Sequence, residues 1–460
     1  MSSAPLTSPL AAELEAATRA WAQGAEREHA GDRRGAAEAY RRAVESHAAF
    51  PDAWCSLAAL ARADGQVPTA IALLRRGLGF SPDSARLHSR LGDLLRVASR
   101  LDEATVSLRR AIELDPDSFE AWFNFGLLGA EVGDDGGAMT CYERALALAP
   151  ADSPLRIAIR WHRAMALLTM GDLAAGFAEC EVRSELRPPS FQLPLWRGDA
   201  PAGRRLLVWA DQGFGDTVQF LRFVPPLAAR GAEVILSVQP ELAPLLGGFP
   251  GVGTLLRIGD PLPAADAHVP LMSLPHRLGT TLATLPPMPA LPAPMRPTAP
   301  ALARPPSTRL MLGIVWAGDP RHPQDRKRSA TLEPFLALCD LPGVVVVSLQ
   351  TGARAADLDT TGARGLVIDG GAALGDFADT AAALSRIDLL VSVDTGIVHL
   401  AGALGRPVLV LLPAAADWRW MRERGDSPWY PSLRLFRQTA PGDWDGVLAR
   451  VRAVIAGKLG

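Results

Sequence analysis

Residues 51–84 read PDAWCSLAALARADGQVPTAIALLRRGLGFSPDS, and residues 85–118 read ARLHSRLGDLLRVASRLDEATVSLRRAIELDPDS. Residues 119–152 follow as FEAWFNFGLLGAEVGDDGGAMTCYERALALAPAD. At a step of thirty-four, small residues recur at Gly24, Ala58, Gly92 and Gly126, and alanine recurs at Ala36, Ala70, Ala104 and Ala138. A bulky residue comes next at Tyr40, Leu74, Leu108 and Tyr142, then a small one at Ala43, Gly77, Ala111 and Ala145. The units close on Ala48, Pro82, Pro116 and Pro150. This is the arithmetic of a helix-turn-helix unit. Small residues let the two helices cross closely, and large ones fill the gap to the next unit. Gly31-Asp32, Gly65-Gln66 and Gly133-Asp134 supply the turns, and proline stops the second helix.

Period and positions together match the tetratricopeptide repeat. A degenerate fifth unit, with Gly171-Asp172 as its turn, is expected to cap the stack, so residues 1–185 are assigned to an α-solenoid. Such a solenoid offers a concave groove to a peptide or protein, although no residue here names the ligand.

From Arg204 the texture changes to short apolar runs between glycine-rich turns and amphipathic helices. Leu206–Ala210 and Glu233–Val238 read as strands, with one helix running to about Arg230 and another starting near Pro240. A second set begins with strands Leu310–Trp316, Val344–Leu349 and Leu366–Asp369 and helix Asp376–Arg386. Strand Asp388–Val393, helix Gly396–Leu404, strand Pro407–Leu412 and a closing helix Trp444–Ile455 follow. The alternation predicts two Rossmann-like lobes of parallel sheet covered by helices. The expected order is a linker at 186–202, a first lobe at 203–295, a proline-rich linker at 296–308 and a second lobe at 309–460. Ligands of such folds bind at the carboxyl ends of the strands.

Composition narrows the function. A net charge of -2 gives no basic footprint for nucleic acid. Cys55, Cys141, Cys180 and Cys339 lack metal-ligand spacing and read as packing thiols in a reducing compartment. The first residues have no secretory pattern, and the apolar stretch Leu389–Pro413 is interrupted by Asp394, His399 and Arg406. The expected location is therefore the cytoplasm, with no membrane span and no bound metal.

Three loops carry chemistry. In Ser392-Val393-Asp394-Thr395-Gly396 a strand gives way to a helix that includes His399, which makes either a phosphate seat at free amides or an ordinary helix cap. Asp216, after Gln212-Gly213-Phe214-Gly215, is either a general base for an acceptor hydroxyl or a cap. The segment from Trp316 and Gly318 to Arg326 and Arg328 is either a cationic clamp for a diphosphate or a solvated basic loop. Gln350, just after its strand, is counted with the donor contacts. The rings of Trp418, Trp420, Trp429 and Tyr430 are candidates to line the donor pocket.

Five segments extend these motifs: WADQGFGDTVQFLRFVPPLAARGAEV, PLMSLPHRLGTTL, GIVWAGDPRHPQDRKRS, VSVDTGIVHLAGALGRPV and DWRWMRERGDSPWYPSLRLFRQ. With them, residues 203–450 resemble the bacterial glycosyltransferases related to the lipopolysaccharide heptosyltransferases, in the form that carries tetratricopeptide repeats. The resemblance implies a GT-B fold and an inverting, metal-independent transfer from a nucleotide-sugar, which is a substrate and not a cofactor. It implies Asp216 as base, Arg328 with Arg326 at the phosphate, and Asp394, Thr395, Gly396 and His399 as the nucleotide-phosphate loop. Gln212, Gly213, Gly215, Trp316 and Gly318 support these loops. Two positions depart from the family: Asp211 stands where glutamate is common, and arginine replaces the heptosyltransferase lysine, so heptose-specific contacts do not carry over. Some relatives of this layout modify proteins, flagellin among them, which favours a protein acceptor held by the repeats. A polysaccharide transferase docked through its repeats and an inactive scaffold are the competing readings.

Overall fold

A computed structural model of the chain describes residues 9–186, 189, 191–292, 302–322 and 324–459. Residues 296–301 of the proline-rich linker expected at 296–308 fall outside these residues, as do three positions of the expected linker 186–202. Contacts group the chain into two units, Met1–Ala166 and Leu167–Gly460.

The first unit is a run of antiparallel helix pairs: α1 (Pro9–His29) with α2 (Arg33–Ser46), α3 (Pro51–Ala63) with α4 (Val67–Phe80), α5 (Ala85–Val97) with α6 (Leu101–Leu114), and α7 (Phe119–Val132) with α8 (Asp135–Leu148). Helix α9 (Leu155–Thr169) continues past the unit's last residue. The periodic residues do what their sizes require. A Cβ on Gly24 would lie 2.5 Å from the Tyr40 ring, and one on Gly126 would lie 2.5 Å from the Tyr142 ring. Tyr40, Leu74, Leu108 and Tyr142 are all buried.

The turns repeat as faithfully as the core. Gly31, Gly65 and Gly133 take φ values of 81°, 76° and 88°, and Ser99, one step after Gly65, is held at 59°. The repeat forces a left-handed residue there even without glycine. Asp32 and Asp134 accept from Gly35 N and Gly137 N at 2.9 Å, capping α2 and α8. The ring nitrogens of Trp54, His88 and Trp122 reach the carbonyls of Ala48, Pro82 and Pro116 at 2.8, 2.9 and 2.8 Å. Each unit is thereby tied to the end of the one before it.

The second unit opens with α10 (Leu173–Glu179) and α11 (Arg183–Leu186) and then builds two parallel sheets. The first has β1 (Arg205–Trp209), β2 (Glu233–Val238), β3 (Thr254–Arg257) and β4 (Ala267–Pro270) in the order β3-β2-β1-β4. Between β1 and β2 lie α12 (Phe214–Phe220) and α13 (Val224–Ala229), and α14 (Leu274–Arg277) follows β4. The second sheet begins with β5 (Leu310–Val315), α15 (Asp325–Arg328), α16 (Glu333–Leu336) and β6 (Val344–Ser348). It continues with α17 (Asp357–Thr360), β7 (Val367–Asp369), α18 (Phe377–Ser385) and β8 (Leu389–Val393). It ends with α19 (Gly396–Ala403), β9 (Val408–Leu412), β10 (Leu433–Arg437) and α20 (Trp444–Leu459). Its order, β10-β9-β8-β5-β6-β7, is that of a doubly wound nucleotide-binding sheet, with its switch point between β5 and β8. Leu312, Ile314, Val391, Leu409 and Leu411 form the buried centre, closed by Val447, Val451 and Ile455 of α20.

The α-solenoid followed by two α/β lobes is the fold class expected from the sequence. Three strands, β3, β4 and β10, were not expected. The helix expected up to Arg230 is broken into α12, a 3-10 turn at Leu221–Phe223 and α13, where Pro225 and Pro226 remove two amide donors. The helix expected from Pro240 is only the turn Ala243–Leu245, stopped by Gly247 and by Gly248 at φ 78°.

Residues 167–185, expected to belong to the solenoid, group instead with the transferase-like unit. Phe177 is fully buried, edge-on to Phe220 at 5.8 Å and Trp418 at 5.7 Å. Arg183 donates to Asp211 Oδ2 and to Ser273 Oγ, both at 2.7 Å, and the Arg183 and Asp211 side chains are each 8% exposed. Removing one partner of such a pair leaves a buried charge uncompensated, which costs about 3–5 kcal/mol. Arg183→Met is therefore expected to lower the melting temperature of the second unit's transition by several degrees, read by calorimetry. A change within error would show that Asp211 finds another partner.

Candidate active site

The loops that leave β1, β5, β8 and β9 all lie at the carboxyl ends of their strands. Two of them meet. A Cβ on Gly396 would sit 3.7 Å from Gly215 N, and a Cβ on Gly215 would sit 2.7 Å from His399 Cδ2. The amino ends of α12 and α19 thus face each other, and only glycine at position 215 permits the approach.

Asp216 stands in the first turn of α12. Its Oδ2 accepts from Gly213 N at 3.1 Å, so the cap foreseen for it exists. Its Oδ1 is bonded to Arg419 Nη2, from the 3-10 turn Trp418–Trp420 after β9. Burial pushes the Asp216 carboxyl above its usual range, while Arg419 pulls it down. The turn beneath is braced: Gln239 Nε2 donates to Gln212 O at 2.8 Å, and Thr217 Oγ1 reaches Gly213 O at 3.2 Å and Gln239 Oε1 at 3.0 Å.

Helix α19 presents the opposite case. Thr395 is its N-cap in extended conformation but makes no side-chain cap bond. Its hydroxyl turns back to Val393 O and Ser392 Oγ, both at 3.4 Å. The simple cap is therefore not formed by Thr395. Val398 N turns back to Thr395 O at 3.0 Å, and among the described residues the amides of Gly396 and Ile397 meet no side-chain acceptor, as an anion seat requires. Burial pushes the Asp394 carboxyl up to about 6, with Asp417 reinforcing the rise. Trp420, Arg419 and Arg328 work against it. His399 is buried beneath, stacked on Trp420 at 5.6 Å, with Nδ1 at 3.2 Å from Tyr430 Oη. Burial holds its imidazole neutral, well below the usual pKa.

The basic loop divides. Arg326 is exposed, whereas Arg328 folds back, half-buried, to within 3.8 Å of Asp325 and beside Gly318. A Cβ on Gly318 would lie 2.7 Å from Arg328 Nη2 and 2.9 Å from Asp325 Oδ1, so any side chain there would displace this pair. Gly318 N donates to Ser329 Oγ at 2.9 Å, and Ser329 Oγ donates to Asp325 Oδ1 at 2.7 Å. Gln350, counted from the sequence as a donor contact, is buried behind the loop with every polar atom engaged. Its Oε1 accepts from Trp316 N at 3.1 Å and Ala317 N at 3.0 Å, and its Nε2 donates to Ala317 O and Thr351 O. Trp316 is itself buried, its indole N–H on Asp357 Oδ2 at 2.8 Å.

Two arginines escaped the sequence reading. Arg419 was seen only as part of an aromatic loop, yet it contacts Asp216, Gln219 Oε1 at 2.6 Å and Asp417 Oδ1 at 2.7 Å. Its guanidinium also lies 4.4 Å from the Trp418 ring centroid. Arg222 is 1% exposed and bonds the carbonyls of Trp429 at 2.7 Å, Gln219 at 3.0 Å and Pro286 at 3.2 Å. It lies over the Trp429 and Tyr430 rings and so pins the first lobe to the second. No local signal marks either residue, because their partners are about two hundred positions away. The four aromatic residues proposed to line the pocket, Trp418, Trp420, Trp429 and Tyr430, are all buried.

Among the described residues no group of three or more His, Cys, Asp or Glu side chains is arranged to hold a metal ion, and no helix is long and apolar enough to cross a membrane.

Residues 373–454, from the end of β7 through most of α20, match the family described as glycosyltransferase family 9 (heptosyltransferase). Residues 22–85 and 89–153 match the tetratricopeptide repeat. Protein FlbA of Caulobacter vibrioides is 27% identical over 427 residues, covering 84% of this chain and 69% of its own. The protein O-mannosyl-transferase TMTC1 of Mus musculus is 37% identical over 90 residues, only 19% of this chain and 9% of its own. Among solved structures, that of PilF of Pseudomonas aeruginosa aligns over 38% of this chain and 78% of its own, at 20% identity and a TM-score of 0.34. The chain thus carries tetratricopeptide repeats followed by a glycosyltransferase family 9 domain, and its likeness to FlbA over most of its length fits a repeat-bearing glycosyltransferase.

Proposed function

We propose that the second unit transfers a sugar from a nucleotide-sugar to an acceptor hydroxyl with inversion, using neither metal nor cofactor, and that the repeats recruit a protein acceptor. The observation that carries this reading is the convergence of an uncapped helix end with a carboxylate. The free amides of α19 at Gly396 face the turn that presents Asp216.

The donor's phosphates would rest on the amino end of α19, with the Thr395 hydroxyl and Arg328 beside them and Arg326 reaching in from outside. The neutral His399 supports the seat from below. Gln350, Trp316 and Gly318 hold the β5 loop in shape, and Gln212, Gly213 and Gly215 hold the base. The acceptor oxygen bonds to the anomeric carbon from the face opposite the leaving group, and its proton passes to Asp216. The bond from the anomeric carbon to the phosphate oxygen breaks, and its electron pair leaves on the nucleotide. Arginines in a partly buried cleft neutralise that charge as a metal would elsewhere. The four cysteines are free thiols, three of them buried, which suits the cytoplasm of a bacterial cell.

General-base assistance is worth about 10²- to 10⁴-fold, so Asp216→Asn is expected to slow transfer by that order while nucleotide binding survives. Removing residues 1–154 is expected to end modification of protein acceptors but to leave hydrolysis of the donor. Both are read as nucleotide released and sugar incorporated from a panel of sugar nucleotides incubated with cell extract. Unchanged transfer by Asp216→Asn would exclude it as the base.

Asp394 is held charged at the seat against its preference. Its raised pKa means that the folded protein keeps a proton which the unfolded chain releases. The stability this lends is present below 3.8 and lost as pH rises to about 6. Asp394→Asn should therefore raise the melting temperature at about pH 7.5, and the gain should vanish near pH 4. A variant less stable at neutral pH would show that the carboxylate is a structural anchor.

A further inference from the structure

Arg419 touches the candidate base directly from the opposite lobe. Its side chain is 11% exposed, and three of its five guanidinium N–H groups are occupied by Asp216, Gln219 and Asp417. Trp418 stacks on its face and holds its plane. As it stands, both Asp216 oxygens are already engaged, Oδ2 by Gly213 N and Oδ1 by the Arg419 guanidinium, whose charge lowers the basicity of the carboxylate.

The pair is not the sole bond between the two lobes, because Arg222 also crosses from the first lobe to Trp429 O of the second. Around the pair, Asp216, Asp394 and Asp417 stand against Arg328 and Arg419, so an entering phosphate competes with carboxylates for these guanidiniums. Two buried donors at this cluster make no hydrogen bond among the described residues, Gln219 Nε2 and Arg328 Nε, the latter having only the Asp325 carboxylate at 3.8 Å. Gln219 is fully buried, and its Oε1 is the atom that holds Arg419 Nε. Negatively charged oxygens entering beside Arg419 would supply what these donors lack.

We propose that Arg419 is a ligand of the donor's phosphates that rests on Asp216 in the free enzyme and is exchanged onto the phosphates when the nucleotide-sugar binds. This rests on the transferase reading above. The exchange frees Asp216 Oδ1 only when a donor is present, so the base is uncovered with its substrate. Asp216 and the phosphates compete for one guanidinium, which gives the idea its test: removing the charge of Asp216 must tighten nucleotide binding.

Asparagine at 216 can still accept from Gly213 N, so the turn is preserved. The full chain, Asp216→Asn, Arg419→Gln and the double variant are titrated calorimetrically with CMP, UDP, ADP and GDP. The nucleotide that binds the unaltered chain is expected to bind Asp216→Asn roughly tenfold tighter, a coupling within the usual range for residues in contact. It should bind Arg419→Gln more weakly, and Asp216→Asn should then add nothing in the double variant. Arg419→Lys, which keeps the charge without the fork, should fall between and serves if the glutamine variant does not fold. Unchanged or weaker binding by Asp216→Asn, or the same tightening without Arg419, overturns the exchange while leaving the transferase reading standing. If none of the four nucleotides binds the unaltered chain, the transferase reading itself is overturned and the exchange with it.

Discussion

Two helix ends meet in the second unit, and the distance between them governs the rest. Gly215 lies so close to His399 that a methyl group would not fit. That contact sets the amino end of α12 against that of α19 and fixes where Asp216 stands relative to Asp394 and Thr395. Behind it, each loop is held from its own lobe. Gln239 braces the β1 turn through Gln212 O, and Gln350 braces the β5 turn through Trp316 N and Ala317 N. The charged groups in front are left partly unsatisfied. A carboxyl raised to about 6 and buried donors that make no hydrogen bond among the described residues are costs that a structure built only for stability would avoid.

Buried arginines carry the long-range order. Arg183 fastens α11 to the β1 and β4 loops through Asp211 and Ser273, and Arg222 fastens α12's end to the Trp429 segment. Arg183 is charge-paired with a carboxylate as buried as itself, whereas Arg222 relies on carbonyls and ring faces. These contacts explain why residues 167–185, which continue the repeat pattern, group with the transferase domain. Repeat periodicity describes how a helix is made, and burial decides what it belongs to.

What the sequence disclosed follows the range of the forces involved. The solenoid was legible because its period returns at Gly24, Ala58, Gly92 and Gly126, and even Ser99 obeys the turn that glycine makes elsewhere. Strands buried on both faces, such as β9 with Val408–Leu412, announced themselves as apolar runs. Strands β3 and β10 are short edge strands carrying threonine or arginine among their leucines, and β4 is four residues ending in proline, so none stood out. At the site, helix starts were legible but their state was not: Asp216 caps its helix and Thr395 leaves its own uncapped, although both sequences allowed either. Gln350's bonds to the backbone of the β5 loop could not be foreseen, because an amide after a strand looks the same whether it faces a ligand or a backbone. Arg419 was overlooked because its partner lies 203 residues away.

The most direct test of this account is the structure of the full chain with whichever of CMP, UDP, ADP or GDP it binds. The phosphates should contact the amide of Gly396 and the Arg328 guanidinium, with Arg419 turned from Asp216 onto a phosphate oxygen. Phosphates bound away from α19, with the Asp216–Arg419 pair intact, would contradict it.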